Sequence, residues 1–215
     1  MKKMLFMMDT QWCHVQGSDY LNVMRNQLKY LLTKEAQDLI IKHFGNFDEA
    51  LLKSYVTQDY IDKLNNFVKN NRKNYNKIIT SFNLFETDVE RNEIIYYQDN
   101  TLEMLPKIKN QRMIESFVDP QYVDYIGYEY HQRTNQKLID LMAENDIIDV
   151  CGLSVCGCVN EIVNMEYITQ QVLKVPSKVY RFIKDYIVNW EHDYHLIKNV
   201  EQYNIKIITG NQIND

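Results

Sequence analysis

Two short stretches bring together the side chains best suited to chemistry. In "MLFMMDTQW" five apolar residues, Met4 to Met8, run straight into Asp9. In "IIDVCGLSVCGCVNEIVNM", Ile147 to Met165, three of the chain's four cysteines fall within eight residues. A thiol becomes a nucleophile when it ionises, and a helix N-terminus favours the thiolate through unpaired backbone N–H groups and the positive end of the dipole. Cys158 precedes Val159, Ile162 and Val163 at helical spacing, so it stands at the head of a helix. The same N–H groups can stabilise an oxyanion on a carbonyl under attack. The bland reading is a small residue filling a gap between helix and sheet, since free cysteines are often buried. Asp9, partly desolvated at a strand end, can take a thiol's proton, or simply cap the next turn.

The remaining cysteines do not extend this into a metal site or a disulfide set. Cys151 lies within an apolar strand run and reads as core, while Cys156 in the turn is either a second reactive thiol or turn packing. Cys156 and Cys158 are one residue apart rather than the two to four of zinc knuckles, and the adjacent Cys13 and His14 point in different directions. No metal and no other cofactor is therefore expected, and neither G-x-x-x-x-G-K-[ST] nor G-x-G-x-x-G occurs to hold a nucleotide phosphate.

These residues need a scaffold, and short apolar runs alternating with helical periodicity supply one. "MLFMM" reads as a central strand. Leu21, Met24, Leu28, Leu31, Leu32, Leu39 and Ile40 share a helical face that Gly45 and Asn46 end. Thr57 caps a helix facing inward through Ile61, Leu64, Phe67 and Val68, and "KIITSFNLF" follows as the second strand. "EIIYY" reads as a short strand in a polar excursion and "RMIESFV" as the third sheet strand. A helix from Thr134 turns in Leu138, Ile139, Leu141 and Met142. "IIDVCGL" is the next strand, then a helix over "VNEIVNMEYI", the strand "KVYRFIKDYI", a helix over "NWEHDYHLIKNVEQYN" and a closing strand "IKIIT". The alternation predicts a three-layer α/β/α fold with a mostly parallel, Rossmann-like sheet, whose chemistry gathers beyond the C-terminal strand ends. That rule selects Asp9 and Cys158.

Composition narrows the setting. With 215 residues and no dividing Pro, Gly or Ser stretch, one domain is expected. The 24 basic and 29 acidic residues are interspersed, which argues against nucleic acid as a partner. No run approaches the roughly 18 apolar residues that would cross a bilayer, and the N-terminal run stops at Asp9, too early for a secretory segment. A cytoplasmic protein that does not engage membranes is expected, with its thiols reduced.

On these residues the chain resembles the isochorismatase-like cysteine hydrolases, a superfamily that includes nicotinamidases and N-carbamoyl amide hydrolases. Asp9 and Gln11 match its opening Asp-x-Gln. Gly152, Leu153, Cys158 and Val159 match its late Gly-[Leu/Ile/Val]-x-x-x-x-Cys-Val. The likeness covers most of residues 1–215 as one domain, with a helical insertion at about 13–56 in place of a loop. It implies Asp9 as base, Cys158 as nucleophile, and an oxyanion hole from the backbone N–H groups of Ser154 and Cys158, with a cis peptide between Leu153 and Ser154 and Gln11 at the binding site. It also implies a catalytic lysine, yet none occurs between Gln111 and Gln136. "DPQYVDY" puts Asp119, or with a shifted gap Phe117, in its place; Lys107 or Lys109 would have to substitute from a neighbouring loop. The nicotinamidase Asp-x-His metal pair is missing from "SFNLFET".

The resemblance thus implies a hydrolase cleaving a small-molecule amide or related C–N bond. The alternatives are a degenerate member of the same fold that binds small molecules or proteins, or a different reaction at the same site. Many members form dimers or tetramers, which leaves a homo-oligomer open. Tyr122, Tyr125, Tyr128 and Tyr130 either line a pocket for a planar ligand or pack on the sheet edge.

Overall fold

The computed structural model describes residues 1–46, 56–82, 85–96, 110, 114–127, 136–153, 159, 178–193 and 205–214. The strands of its main sheet are β1 (Lys3–Met8), β2 (Lys77–Phe82), β5 (Asp124–Gly127), β6 (Ile147–Gly152), β7 (Val179–Ile187) and β8 (Ile205–Ile208). They run in the order β5-β2-β1-β6-β7-β8, and every neighbouring pair is parallel. Central strands of such a sheet are covered on both faces and need uninterrupted apolar runs. Accordingly Met4 to Met8 are fully buried, as is β6 along its whole length. Flanking helices complete the layered α/β arrangement: α1 (Asp19–Leu31), α2 (Lys34–Phe44), α3 (Gln58–Asn71), α4 (Gln136–Ala143) and the short α5 (Trp190–Asp193).

α3 shows how local sequence sets its element. The Thr57 hydroxyl accepts the Tyr60 N–H at 3.3 Å, satisfying one of the orphan donors of the first turn. Ile61, Leu64, Phe67 and Val68 form the expected buried stripe. Phe67 stacks on Tyr186 with ring centroids 4.3 Å apart, and the Tyr60 hydroxyl donates to the Tyr186 carbonyl at 2.8 Å, tying the helix to β7. In α4 the inward residues are Leu138, Ile139 and Met142.

Two expectations need correction. The apolar pattern from Leu21 to Ile40 is two helices, because Thr33 caps α2 through the Ala36 N–H at 3.3 Å and so starts a new helix; Leu39 then faces solvent. Gly45 does end α2, at φ 82°. "RMIESFV" is not a sheet strand among its described residues: Ser116 forms an isolated antiparallel bridge with Gln11, and the strand beside β2 is Asp124–Gly127. "EIIYY" does hold a strand, β4 (Glu93–Tyr96), but it pairs antiparallel with β3 (Phe85–Asp88) in a separate two-stranded sheet. Thr134, the expected start of α4, lies outside the described residues, as do most of "VNEIVNMEYI" and of "NWEHDYHLIKNVEQYN".

A buried ionic network lies toward the N-terminal side of the sheet. The Asp149 carboxylate accepts Arg181 Nε at 2.6 Å, Arg181 Nη2 at 2.7 Å and the Tyr75 hydroxyl at 2.8 Å. Arg181 Nη2 also donates to the Ile213 carbonyl at 2.9 Å, and Lys3 Nζ reaches the same oxygen at 2.6 Å. Desolvation and the neighbouring carboxylate push the Tyr75 phenol far up, so it stays a neutral donor.

Candidate functional site

The strand order reverses direction at β1: the chain continues to β2 on one side, while β6 lies on the other. In open parallel sheets the crevice beyond the C-terminal ends of the strands at such a switch point is where ligands bind. Asp9 follows β1 directly, and the register pairs Met8 with Gly152 at the end of β6. The Leu153 N–H donates to the Met8 carbonyl at 2.9 Å. Both motif-bearing segments therefore leave the sheet side by side.

Gly152 has a steric reason to be glycine. Its φ is 107°, and a Cβ there would stand 2.2 Å from the Met8 carbonyl oxygen and 2.6 Å from the Met8 nitrogen. Only a residue without a side chain lets β6 approach β1 so closely at its exit.

Asp9 is almost fully buried, with 3% of its surface exposed, and its φ is 52°. The left-handed region costs a residue with a Cβ about 1 kcal/mol or more, somewhat less for Asp, and is retained where the surroundings over-determine it. Those surroundings are well defined. The Asp9 N–H donates to Ser81 Oγ at 3.3 Å, and the Gln11 N–H closes the turn on the Asp9 carbonyl at 2.8 Å. Residues 114–118 cross over residues 10–12: the Phe117 N–H donates to the Thr10 carbonyl at 2.9 Å and the Trp12 N–H to the Glu115 carbonyl at 3.0 Å. The fully buried Gln11 side chain donates to the Ile114 carbonyl at 2.6 Å.

Beneath this crossing lies a set of hydroxyls that sequence reasoning did not single out. Thr10 Oγ1 is 2.6 Å from Thr80 Oγ1 and 3.0 Å from Ser116 Oγ, and Ser116 Oγ accepts the Val118 N–H at 3.0 Å. Their one sequence signal is that Thr10, Thr80 and Ser81 are polar residues at the C-terminal ends of apolar runs, where the sheet rule looks for function. Cys13, considered above only beside His14, is buried in the same region. Desolvation, and then the charge of Asp9, raise its pKa well above the ordinary thiol value, so it remains protonated. Cys151 is likewise buried and raised, first by desolvation and then by Asp149, in keeping with its reading as core.

Of the expected site residues, the structure brings Asp9 and Gln11 into one corner and directs the strand that precedes Ser154 and Cys158 alongside them. Ser154, Cys156 and Cys158 lie outside the described residues, as do Lys107, Lys109 and the Leu153–Ser154 peptide. Val159, the residue after Cys158, is helical and buried. Asp119 closes a turn of its own: its carboxylate accepts the Gln121 N–H at 3.0 Å and the Gln121 side-chain amide, while its own N–H donates to Asn65 Oδ1 at 2.9 Å. Phe117 is core, edge-on to Trp12 at 6.1 Å and to Tyr60 at 6.3 Å. From this segment it is Ser116 that meets the Thr10 side chain. Tyr122 packs partly buried against the core, whereas Tyr128 and Tyr130 lie outside the described residues.

No protein-family model and no curated protein matches this sequence. Solved structures do match in fold. The pyrazinamidase of Pyrococcus horikoshii in complex with zinc is similar at a TM-score of 0.53 and 15% identity, over 97% of this chain and 99% of that one. The N-carbamoylsarcosine amidase of Thermoplasma acidophilum is similar at 0.53 and 14%, over the whole of both chains. The pyrazinamidase/nicotinamidase of Streptococcus mutans UA159 is similar at 0.52 and 9%, over 96% of this chain and 100% of that one. The chain shares the α/β fold of these three solved structures. Among the described residues no three His, Cys, Asp or Glu side chains converge to hold a metal, and no described helix is long and apolar enough to cross a membrane.

Proposed function

We propose that this chain is a hydrolase of a small-molecule amide or related C–N bond, with Cys158 as nucleophile and Asp9 as base. The observation that carries the reading is Asp9 itself: a buried carboxylate in a left-handed turn at the switch point, beside the strand that leads to Cys158. A carboxylate is not buried without consequence, and a strained, buried, acidic strand end is where a base belongs. In the proposed cycle the Cys158 thiol gives its proton to Asp9 as sulfur bonds to the carbonyl carbon. The tetrahedral oxyanion is held by the Ser154 and Cys158 N–H groups, and the C–N bond breaks as Asp9 returns the proton to the leaving amine. Water, deprotonated by Asp9, then attacks the thioester carbonyl; the C–S bond breaks, the acid product leaves, and Asp9 returns the proton to the Cys158 sulfur. Gln11, with its side chain committed to Ile114, shapes the wall of the pocket rather than the reaction. Asp119 is assigned to its turn. The proposed setting is the cytoplasm, where the thiol stays reduced.

A second reading has an observation of its own. No lysine occurs between Gln111 and Gln136, and the residue set beside Thr10 is Ser116. A chain without a cation to offset the thiolate would bind a small molecule without cleaving it. One experiment separates the two: iodoacetamide alkylation of each cysteine against pH, read by peptide mass spectrometry, with turnover of an amide panel by the wild type and by Cys158→Ala. Hydrolysis requires Cys158 to react well below pH 8 while Cys13 and Cys151 stay protected, and requires Cys158→Ala to abolish turnover. An ordinary thiol profile at Cys158, near pH 8.5, with no turnover would favour the binding reading.

A further inference from the structure

The hydroxyls under Asp9 form a chain with one direction. The Val118 N–H donates to Ser116 Oγ, and Thr80 Oγ1 donates to the Ser81 carbonyl at 3.4 Å. With the single Thr80 proton directed at the Ser81 carbonyl, Thr10 donates to Thr80 and Ser116 to Thr10, so each of the three hydroxyls accepts one hydrogen bond and gives one. Thr10 and Thr80 are fully buried and Ser116 nearly so. Removing any link leaves a buried polar group unmatched, which makes the chain cooperative.

Its placement sets what it does. Thr80 and Ser81 lie near the C-terminal end of β2, Thr10 follows Asp9, and Ser116 sits in the segment that crosses residues 10–12. The chain joins three segments that are remote in sequence and come together around the Asp9 turn. Asp9 is held from below by Ser81 Oγ on its N–H, and from the next residue by Thr10, whose carbonyl takes the Phe117 N–H and whose hydroxyl sits mid-chain. A left-handed Asp that relaxed to ordinary strand geometry would carry Thr10 out of this chain.

We propose that Thr10, Thr80 and Ser116 are positioning residues for Asp9: their hydroxyl chain locks the left-handed turn and so fixes the direction of the carboxylate. This inference rests on the reading of Asp9 as base to Cys158. It assigns the hydroxyls no contact with substrate; they act through the backbone of the residue they hold.

The test is acylation of the full-length protein by p-nitrophenyl acetate, read as the burst of p-nitrophenolate that requires Cys158, across pH. Thr80→Val keeps the branched shape in a strand and deletes the hydroxyl, and Thr80→Ser keeps the hydroxyl; Thr10→Val and Thr10→Ser repeat the comparison one link closer. A base displaced by a fraction of an ångström should slow the burst about tenfold or more in the Val variants and move the acid limb of the pH profile. The Ser variants should stay within about twofold of wild type, with urea unfolding confirming that each protein is folded at the assay temperature. Equal bursts in the Val variants and wild type, while Asp9→Asn is slow, would overturn the positioning role and leave the base intact. Equal losses in Val and Ser variants would assign the effect to packing and also overturn it. An unslowed Asp9→Asn would remove the reading of Asp9 as base, and this inference with it.

Discussion

Replacing Arg181 by leucine isolates what the buried network contributes. Asp149 is wholly buried and Arg181 nearly so, and the pair meets in a bidentate fork at 2.6 and 2.7 Å. Among the described residues, Arg181→Leu leaves the Asp149 carboxylate with the Tyr75 hydroxyl at 2.8 Å and the Ile213 carbonyl with Lys3. Breaking a buried pair from one side costs about 3–5 kcal/mol, mostly the desolvation of the charge left behind. For a chain of this size that lowers the unfolding midpoint by roughly 6–20 °C. The diagnostic step is the second substitution. Arg181→Leu with Asp149→Leu removes both charges and leaves Tyr75 without its acceptor, an orphaned hydroxyl costing about 1–3 kcal/mol. Adding Tyr75→Phe removes that as well. Stability in urea should therefore drop sharply in the single variant and recover stepwise in the double and triple, since an apolar replacement of a buried pair is often neutral. A single variant within about 1 kcal/mol of wild type would show that water reaches Asp149, and a double variant no better than the single would show that packing, not charge, sets the cost.

Two further substitutions probe single positions. Gly152→Ala forces a Cβ to within 2.2 Å of the Met8 backbone at a φ of 107°, so it should cost about 3 kcal/mol or more, measured by urea unfolding; a neutral result would mean that β6 does not leave the sheet as described. Burial pushes His14 down to about 4, and its ring stands edge-on to Tyr20 at 5.4 Å. The unfolded chain binds this proton near pH 6.5 and the folded protein only near 4, so the stabilisation is complete above 6.5 and is lost as the pH falls toward 4. The slope contributed is up to about 1.4 kcal/mol per pH unit, and His14→Phe should flatten the acid side of the urea stability profile by that part; parallel profiles would exclude His14 as its source.

What could be read from the sequence divides along a physical line. β1, β6 and β7 were legible because a parallel strand buried on both faces needs an apolar run that few other structures use, and α3 because Thr57 and its stripe are local signals. "RMIESFV" carries the same β-forming residue types, but what Ser116 pairs with is decided by Gln11, a hundred residues away, and no local preference encodes that. The second helix is hidden for a different reason: Thr33 is a local cap signal, but the apolar spacing runs on across it. Asp9 and Gln11 could be found as a motif. The hydroxyls around them could not, because Thr10 meets Thr80 across 70 residues and Ser116 across 106.

The ionic network and the candidate site occupy different levels of one sheet, and that separation explains how the chain can keep a strained turn at all. Asp149 pairs in register with Leu5, four residues before Asp9, which at the rise of a strand is about 13 Å along β1. The network fastens Tyr75 before β2, Arg181 in β7 and Ile213 after β8, so it gathers the sheet's N-terminal side and the C-terminal tail. At the opposite end the chain holds Asp9 left-handed, buries its carboxylate and spends three hydroxyls on one another rather than on apolar packing. Each of those choices subtracts from stability or adds nothing to it, as the proposed role of Asp9 as a directed base would require. Sites this far apart on a rigid sheet add nearly independently. A loss of unfolding free energy at Arg181 and a loss of burst rate at Thr80 should therefore not predict one another, as expected if the lower half of the sheet stabilises what the upper half strains.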